Sequence, residues 1–159
     1  MKRESVSSLS GDEQTVLEAV EVVPMEPEER SGFDQHLDQE HYLGRGRLLG
    51  KQLRYVAKHR GKWLALLTWS DAAFHLKDRE AWIGWTAAQK KRRLPLVVNN
   101  SRFLILKTVR VPNLGSRVMK LCLERLVGDW ERTYGHPVLG AESFVDSQLF
   151  RGTAYKASG

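Results

Sequence analysis

Apolar residues recur at helical spacing in one long stretch of the chain. Val118, Met119, Leu121, Cys122, Leu123, Leu126, Val127 and Trp130 repeat as the buried face of a helix does. Ahead of them, Arg102-Phe-Leu-Ile-Leu106 is a short apolar run of strand formers. Lys107-Thr-Val-Arg-Val111 alternates apolar and polar residues, as a half-buried strand does. Pro112-Asn-Leu-Gly-Ser116 follows, a breaker cluster with two candidate helix N-caps, Asn113 and Ser116. The pattern predicts strand, tight turn and helix over Arg102 to Tyr134. Gly135-His-Pro137 then ends the helix, glycine as cap and proline as stop.

The same reading extends to the other segments. Gln52-Leu-Arg-Tyr-Val-Ala57 and Lys62-Trp-Leu-Ala-Leu-Leu-Thr-Trp69 predict an antiparallel hairpin, with Lys58-His-Arg-Gly61 as its basic turn. Phe33, Leu37 and His41-Tyr42 stand at helix spacing, and Gly44, Gly46 and Gly50 then break the pattern. A helix is predicted from Ala72 to about Trp82, capped by Ser70 or Asp71, and a shorter one from Ala87 to Arg93, capped by Thr86. Leu96 to Val98 reads as strand, Asn99-Asn-Ser101 as a turn, and Val138 to Val145 as a further strand. Ser147 to Gly159 reads as a helix start. The fold class is α/β: a mixed, mostly antiparallel sheet flanked by helices on both sides.

Composition changes the picture at the N-terminus. Residues 1–30 hold three basic residues against eight acids, a net charge of −5, so the remainder carries +11 of the total +6. Thr15 to Val23 could form one amphipathic turn or a strand, and Pro24 and Pro27 break it. The expectation is a flexible acidic arm over residues 1–30 and one domain over residues 31–159. A hydrophobic fraction of 42% with five tryptophans suits a folded domain of that size. No run approaches the roughly 18 apolar residues of a membrane span, so no membrane partner is expected. The polar start Met1-Lys-Arg-Glu lacks a secretory pattern. With the single Cys122, read as an inert core thiol, this fits the cytoplasm.

The basic body points to a polyanionic partner, nucleic acid first. The candidate contacts are Arg45, Arg47, Arg54, Lys58, Arg60, Lys90, Lys91, Arg92 and Arg93. Trp82-Ile-Gly-Trp85 could stack bases, although a small domain more often uses such a pair as core or lid. Asn113, Leu114, Gly115, Ser116 and Arg117 open the long helix, where free N–H groups and the helix dipole favour an anion. Arg110 and Arg117 flank that turn. Glu142 and Asp146 share a strand face and could hold Mg²⁺, with Asp78 or Glu80. Pairing with local arginines is the alternative. His36, His41, His59, His75 and His136 show no metal spacing, so no zinc site is expected.

Two resemblances follow from these residues. The strand–turn–helix–strand order, followed by Thr153-Ala-Tyr-Lys-Ala-Ser-Gly159, resembles the central half of the GNAT acyltransferase fold. That family's phosphate loop carries Arg/Gln-x-x-Gly-x-Gly/Ala; the loop here is Val111-Pro-Asn-Leu-Gly-Ser116, with Gly115 its one glycine. The resemblance implies acetyl-CoA as cofactor, Tyr155 as general acid to the leaving thiolate and Glu142 as candidate base. His41-Tyr-Leu-Gly44, Gln52-Leu-Arg-Tyr55, Trp82-Ile-Gly-Trp85, Asn99-Asn-Ser-Arg-Phe-Leu-Ile-Leu106, Asn113-Leu-Gly-Ser116, Asp129-Trp130 and Glu142-Ser-Phe-Val-Asp146 are similar to the DruA family over residues 33–159. That family is named for a component of the Druantia anti-phage system and has transposon-associated relatives. Its members usually continue past this point, so the resemblance implies a truncated member or an isolated domain.

Three functions are therefore expected, in this order. The first is a DruA-like, GNAT-fold module of an anti-phage or transposon-associated protein that binds nucleic acid. Other defence-system or transposase subunits would be its partners. The second is an acyl-CoA-dependent N-acyltransferase, and the third a metal-assisted nuclease. At the helix-opening turn, a nucleic-acid phosphate is expected ahead of CoA.

Overall fold

The computed structural model describes residues 13–46, 50–72 and 77–143. Five strands form one sheet in the order β1-β2-β3-β4-β5. They are β1 (Glu21–Pro24), β2 (Gln52–His59), β3 (Lys62–Asp71), β4 (Val97–Ile105) and β5 (Gly140–Ser143). β1 to β4 pair antiparallel, and β5 lies parallel to β4. The expected mixed, mostly antiparallel sheet is therefore present. The β2–β3 hairpin turns on Arg60 and Gly61, both at positive φ (52° and 76°). Two such residues match the right-handed twist of the strands they join.

Helices cover both faces. α1 (residues 13–19) and α5 (Leu114–Tyr134) lie on one, α2 (Arg30–Glu40) on the other. α3 (Lys77–Ile83) and α4 (Ala87–Arg93) stand between β3 and β4 in the chain. The α5 face buries Tyr55, Leu67, Trp69, Met119, Cys122 and Trp130, and the α2 face buries Phe33, Leu37, Val56, Leu66 and Leu104. Each such side chain contributes about 1.5–3 kcal/mol by leaving water. Cys122 is the expected core thiol. It accepts the Trp69 indole N–H at 3.3 Å, and burial pushes its pKa up to about 12. Thr86 caps α4 as expected: its hydroxyl accepts from Gln89 N, and Gln89 Oε1 accepts from Thr86 N.

Four expectations are corrected. The acidic arm is not separate from the domain. Residues 13–19 are helical, β1 forms the sheet edge, and a 3-10 turn (Pro27–Glu29) leads straight into α2. Val20 and Val22 are buried, and Glu29 pairs with Lys58 at 2.7 Å. The segment's few apolar residues are thus placed where the sheet can cover them. Residues 1–12 lie outside the described residues.

Lys107 to Val111 is not strand. β3 offers its last pairing to Ile105, and Leu106 N donates to Leu64 O. The chain then turns, with Val109 N donating to Leu106 O and Lys107 N to Glu40 Oε1 of α2. Asn99 to Ser101 is not a turn but the middle of β4. Asn100 Nδ2 donates to Thr68 O and Arg102 O, and Ser101 Oγ to Thr68 O. Pairing steps from Thr68↔Arg102 to Trp69↔Asn100, leaving Ser101 as the extra residue of a β-bulge. The side-chain bonds that usually draw asparagine to turns here stabilise a break in a ladder. Ser70 and Asp71, expected as caps, belong to β3. Ser70 pairs with Gln52 and Asn99, and Asp71 Oδ2 accepts from Lys51 N.

Candidate functional site

The turn from β4 into α5 is the first candidate. Asn113 caps α5 through its backbone and not its side chain: φ is 66° and ψ 4°, with no side-chain cap bond. The left-handed region costs a β-carbon residue roughly 1–2 kcal/mol, and asparagine tolerates it better than most. Leu114 N donates to Val111 O and Arg117 N to Asn113 O. Gly115 and Ser116 lie between them, where an α-helix has no acceptor of its own for its N–H groups. Leu114 and Gly115 are buried. Ser116, the other expected cap, lies inside the helix.

The flanking arginines do not frame this turn as expected. Arg117 Nε donates to Leu17 O at 2.9 Å, fastening α1. Arg110 Nη1 donates to the carbonyls of Lys107 and Val109. Counted from Arg110, however, the loop reads Arg110-x-x-Asn113-x-Gly115. A left-handed asparagine stands where the GNAT phosphate loop has its first glycine. The signal was present in the sequence, but only backbone conformation makes asparagine equivalent to glycine here. Asn113→Gly is expected to leave the melting temperature unchanged or slightly raised. Asn113→Val should lower stability by about 1–2 kcal/mol. Thermal denaturation of the two variants checks this.

The expected catalytic residues fare differently. Glu142 Oε1 accepts from Arg79 Nη1 at 2.8 Å, with the two side chains 17% and 5% exposed. It enters the site as half of an ion pair. Glu80 is held at a pKa of about 2, first by Lys90 and then by the Trp85 indole. Both described carboxylates of the metal alternative are thus taken by cations. Among the described residues, no cluster of metal-ligating side chains forms. Tyr155, Asp146 and the side chain of Asp78 lie outside the described residues, as does Arg47.

The expected basic contacts do not share one face. Arg45 pairs with Asp38 at 2.6 Å and with Asp34 at 3.5 Å. Lys58, paired with Glu29, and Arg60 stand at the hairpin end of the sheet. α4 precedes β4, whose first residues pair with the far end of β3. About 10 residues of strand, on the order of 30 Å, separate the two groups. Lys90 pairs with Glu80, while Lys91, Arg92 and Arg93 are exposed. Trp82, expected as core or lid, is 88% exposed beside them in sequence, just ahead of α4.

A second polar region was not anticipated. Gln52, Ser70, Asn99 and Glu142 pair directly across β2, β3, β4 and β5, forming one rung on the α2 face. Arg54, Thr68 and Arg102 form the neighbouring rung. Gln52 Oε1, Thr68 Oγ1 and Asn99 Oδ1 are buried without hydrogen-bond partners among the described residues. Burial pulls the Arg54 guanidinium below its ordinary pKa, and Arg30 adds repulsion. Arg102 Nε donates to Gly44 O at 2.7 Å, and a β-carbon at Gly46 would strike Arg102 Nη2. His41, whose Nδ1 accepts from Leu43 N, is pushed down to a pKa of about 4 by burial and by Arg102. No sequence signal marks this region, because it exists only through strand register.

Comparison with known proteins accounts for the architecture. The chain superposes on AAC(6')-Ib in complex with paromomycin and acetyl-CoA with a TM-score of 0.59 and 15% identity, covering 89% of this chain and 82% of that one. A ribosomal-protein-alanine N-acetyltransferase from Brucella melitensis biovar Abortus 2308 aligns at a TM-score of 0.47 and 10% identity, over 89% and 92% of the two chains. No curated protein matches the sequence. No helix among the described residues is long and apolar enough to cross a membrane. The sequence profile described as "Druantia protein DruA" matches residues 4–159, so this GNAT-fold chain belongs to the DruA family.

Proposed function

We propose that this defence-system module binds an acyl-CoA-type donor at the β4–α5 turn and acts as an N-acyltransferase. The observation that carries the reading is the turn itself. Left-handed Asn113 and buried Gly115 stand at the phosphate-loop spacing, at the start of a 21-residue helix. Backbone N–H groups and the helix dipole there suit a pyrophosphate. This reverses the order expected from sequence, where the loop showed one glycine in place of two. Asn113 to Ser116 would hold the diphosphate, and the donor would supply an acyl group activated as a thioester. The Ser101 bulge interrupts β4 one residue after its last described pairing with β5, at Asn100↔Ser143. Glu142, held by Arg79, serves this reading as an orienting carboxylate. The role of proton donor falls to Tyr155 on the family resemblance.

Isothermal titration with acetyl-CoA tests the proposal. One-site binding that unacetylated CoA displaces is the expected result. No heat of binding at millimolar acetyl-CoA would overturn it.

A second reading, nucleic-acid binding, rests on a different observation. Exposed Trp82 is followed by the exposed cations Lys91, Arg92 and Arg93, with Glu80 tying α3 to α4 through Lys90 and Trp85. A stacking ring next to a cationic helix suits a single strand. Lys91 also lines a cleft of about 350 Å³ with Lys51. Replacing Lys91, Arg92 and Arg93 by alanine should flatten the plot of log K against log salt. Each lost contact changes the slope by about 0.7 for single strands. Trp82→Ala should cost about 1–3 kcal/mol of binding. Fluorescence anisotropy at several salt concentrations checks both, and unchanged slopes and affinities would remove this reading.

A further inference from the structure

Two buried amide oxygens and a buried hydroxyl, none with a hydrogen-bond partner among the described residues, lie within two adjacent rungs of one sheet face. Thr68 is 1% exposed, and the Gln52 and Asn99 amide oxygens are themselves covered. Leaving such groups unsatisfied costs about 1–3 kcal/mol each, so the two amide oxygens call for a ligand with N–H donors and the hydroxyl for a further polar partner. Ser70 sits between Gln52 and Asn99 on the same rung. At the end of that rung, Glu142 and Arg79 cancel each other's charge.

One rung away stands Arg54. It is half-buried, and its guanidinium makes no hydrogen bond or ion pair among the described residues, although its carbonyl accepts from Met25 N. Asp34, the acid that attracts it, is already paired with Arg30 and Arg45. A half-buried guanidinium without a carboxylate is a site for a bidentate anion. Two residues of strand separate the rungs, about 7 Å. A nucleotide places a base edge and its phosphate on that scale. Asparagine and glutamine amides read the exocyclic amine of adenine in the same chemistry.

We propose that the α2 face of the sheet is a nucleotide subsite. Arg54 takes the phosphate, Gln52 Oε1 and Asn99 Oδ1 accept the two N–H groups of the base's exocyclic amine, and the Thr68 hydroxyl donates to a neighbouring ring nitrogen. The site is separate from the β4–α5 turn and stands whether or not that turn binds a donor.

The test uses the full chain and three matched probes: AMP, IMP and adenosine. IMP replaces the amine by a carbonyl, which would face the two amide oxygens, and adenosine lacks the phosphate. AMP should bind at least about tenfold more tightly than either, because a polar site rejects an analogue that leaves its groups unpaired. Arg54→Met keeps the aliphatic stem and removes the charge. It should abolish the advantage of AMP over adenosine without lowering the melting temperature. Thr68→Val, nearly isosteric, should weaken AMP binding by at least about threefold. A 5′-phosphorylated trinucleotide that binds more tightly than AMP assigns the site to a strand end, and the reverse order to a free nucleotide. Either order supports the subsite. Equal affinity for the three probes, or no binding of AMP at millimolar concentration, would overturn it. So would AMP binding that survives Arg54→Met but is lost in Gly115→Val, because the nucleotide would then sit at the helix-opening turn.

Discussion

Asp129→Ala is expected to lower the free energy of unfolding by about 2–4 kcal/mol. Asp129 is 7% exposed and accepts from Tyr55 Oη at 2.8 Å, Arg125 Nε at 2.7 Å and Arg132. Arg125 also donates to Val22 O, so the carboxylate helps to fasten the edge strand β1 to α5. The loss is concentrated at Tyr55, which is buried and would keep a hydroxyl without an acceptor. Arg125 and Arg132 are more exposed and screened, so their share is smaller. Asp129→Asn retains an acceptor for Tyr55 and should cost clearly less. The effect also has a pH signature. Burial alone would raise the Asp129 pKa, but the bonds from Arg125 and Tyr55 outweigh it and hold the group below its ordinary value. A depressed folded-state pKa contributes stability above the unfolded value, about 4, and that contribution fades as pH falls through the folded value. Urea unfolding of wild type and Asp129→Ala should therefore differ most near neutrality and converge in acid. A constant difference across that range would remove the charge from the explanation.

Gly115→Val is expected to weaken acetyl-CoA binding at least about tenfold, or 1.4 kcal/mol. Gly115 is buried in the first turn of α5, next to left-handed Asn113. A diphosphate bound at the N–H groups of that turn must approach the backbone closely, and a branched side chain blocks it. The substitution also overfills a packed position, at a cost of about 1–3 kcal/mol in stability. Gly115→Ala adds one methyl group and keeps the measurement possible if the valine chain fails to fold. Titration calorimetry with acetyl-CoA, beside thermal denaturation, separates the two effects. Undiminished binding in a folded Gly115→Val protein would make the turn purely structural.

Local pattern reached as far as local forces act. Two strand-forming runs with Gly61 in the turn between them marked the β2–β3 hairpin, because both strands and their turn are contiguous in the chain. Helical periodicity marked α5, and the Thr86 cap marked α4. The motif residues around Asn99, Asn113 and Glu142 carried the family resemblance before any fold was known. In the sequence β1 is only one of two readings for Thr15 to Val23 within a flexible arm, because four residues are too short for a period and the acids around it imitate a disordered segment. The strand reading of Lys107 to Val111 failed because alternation cannot say whether a partner strand remains to pair with.

The sequence by itself therefore determined the class of sheet, the long crossover helix and the family to which the chain belongs. Tertiary structure alone decided which charges are spent. Arg45, Lys58, Lys90 and Glu142 carry formal charges in any reading of the sequence, and only folding pairs them with Asp38, Glu29, Glu80 and Arg79. It alone gave Asn113 its left-handed backbone. It also brought Gln52, Thr68 and Asn99 into neighbouring rungs, although up to 46 positions of chain lie between them. Strand register, set by the burial of one face against α5, fixes which polar residues meet on the other.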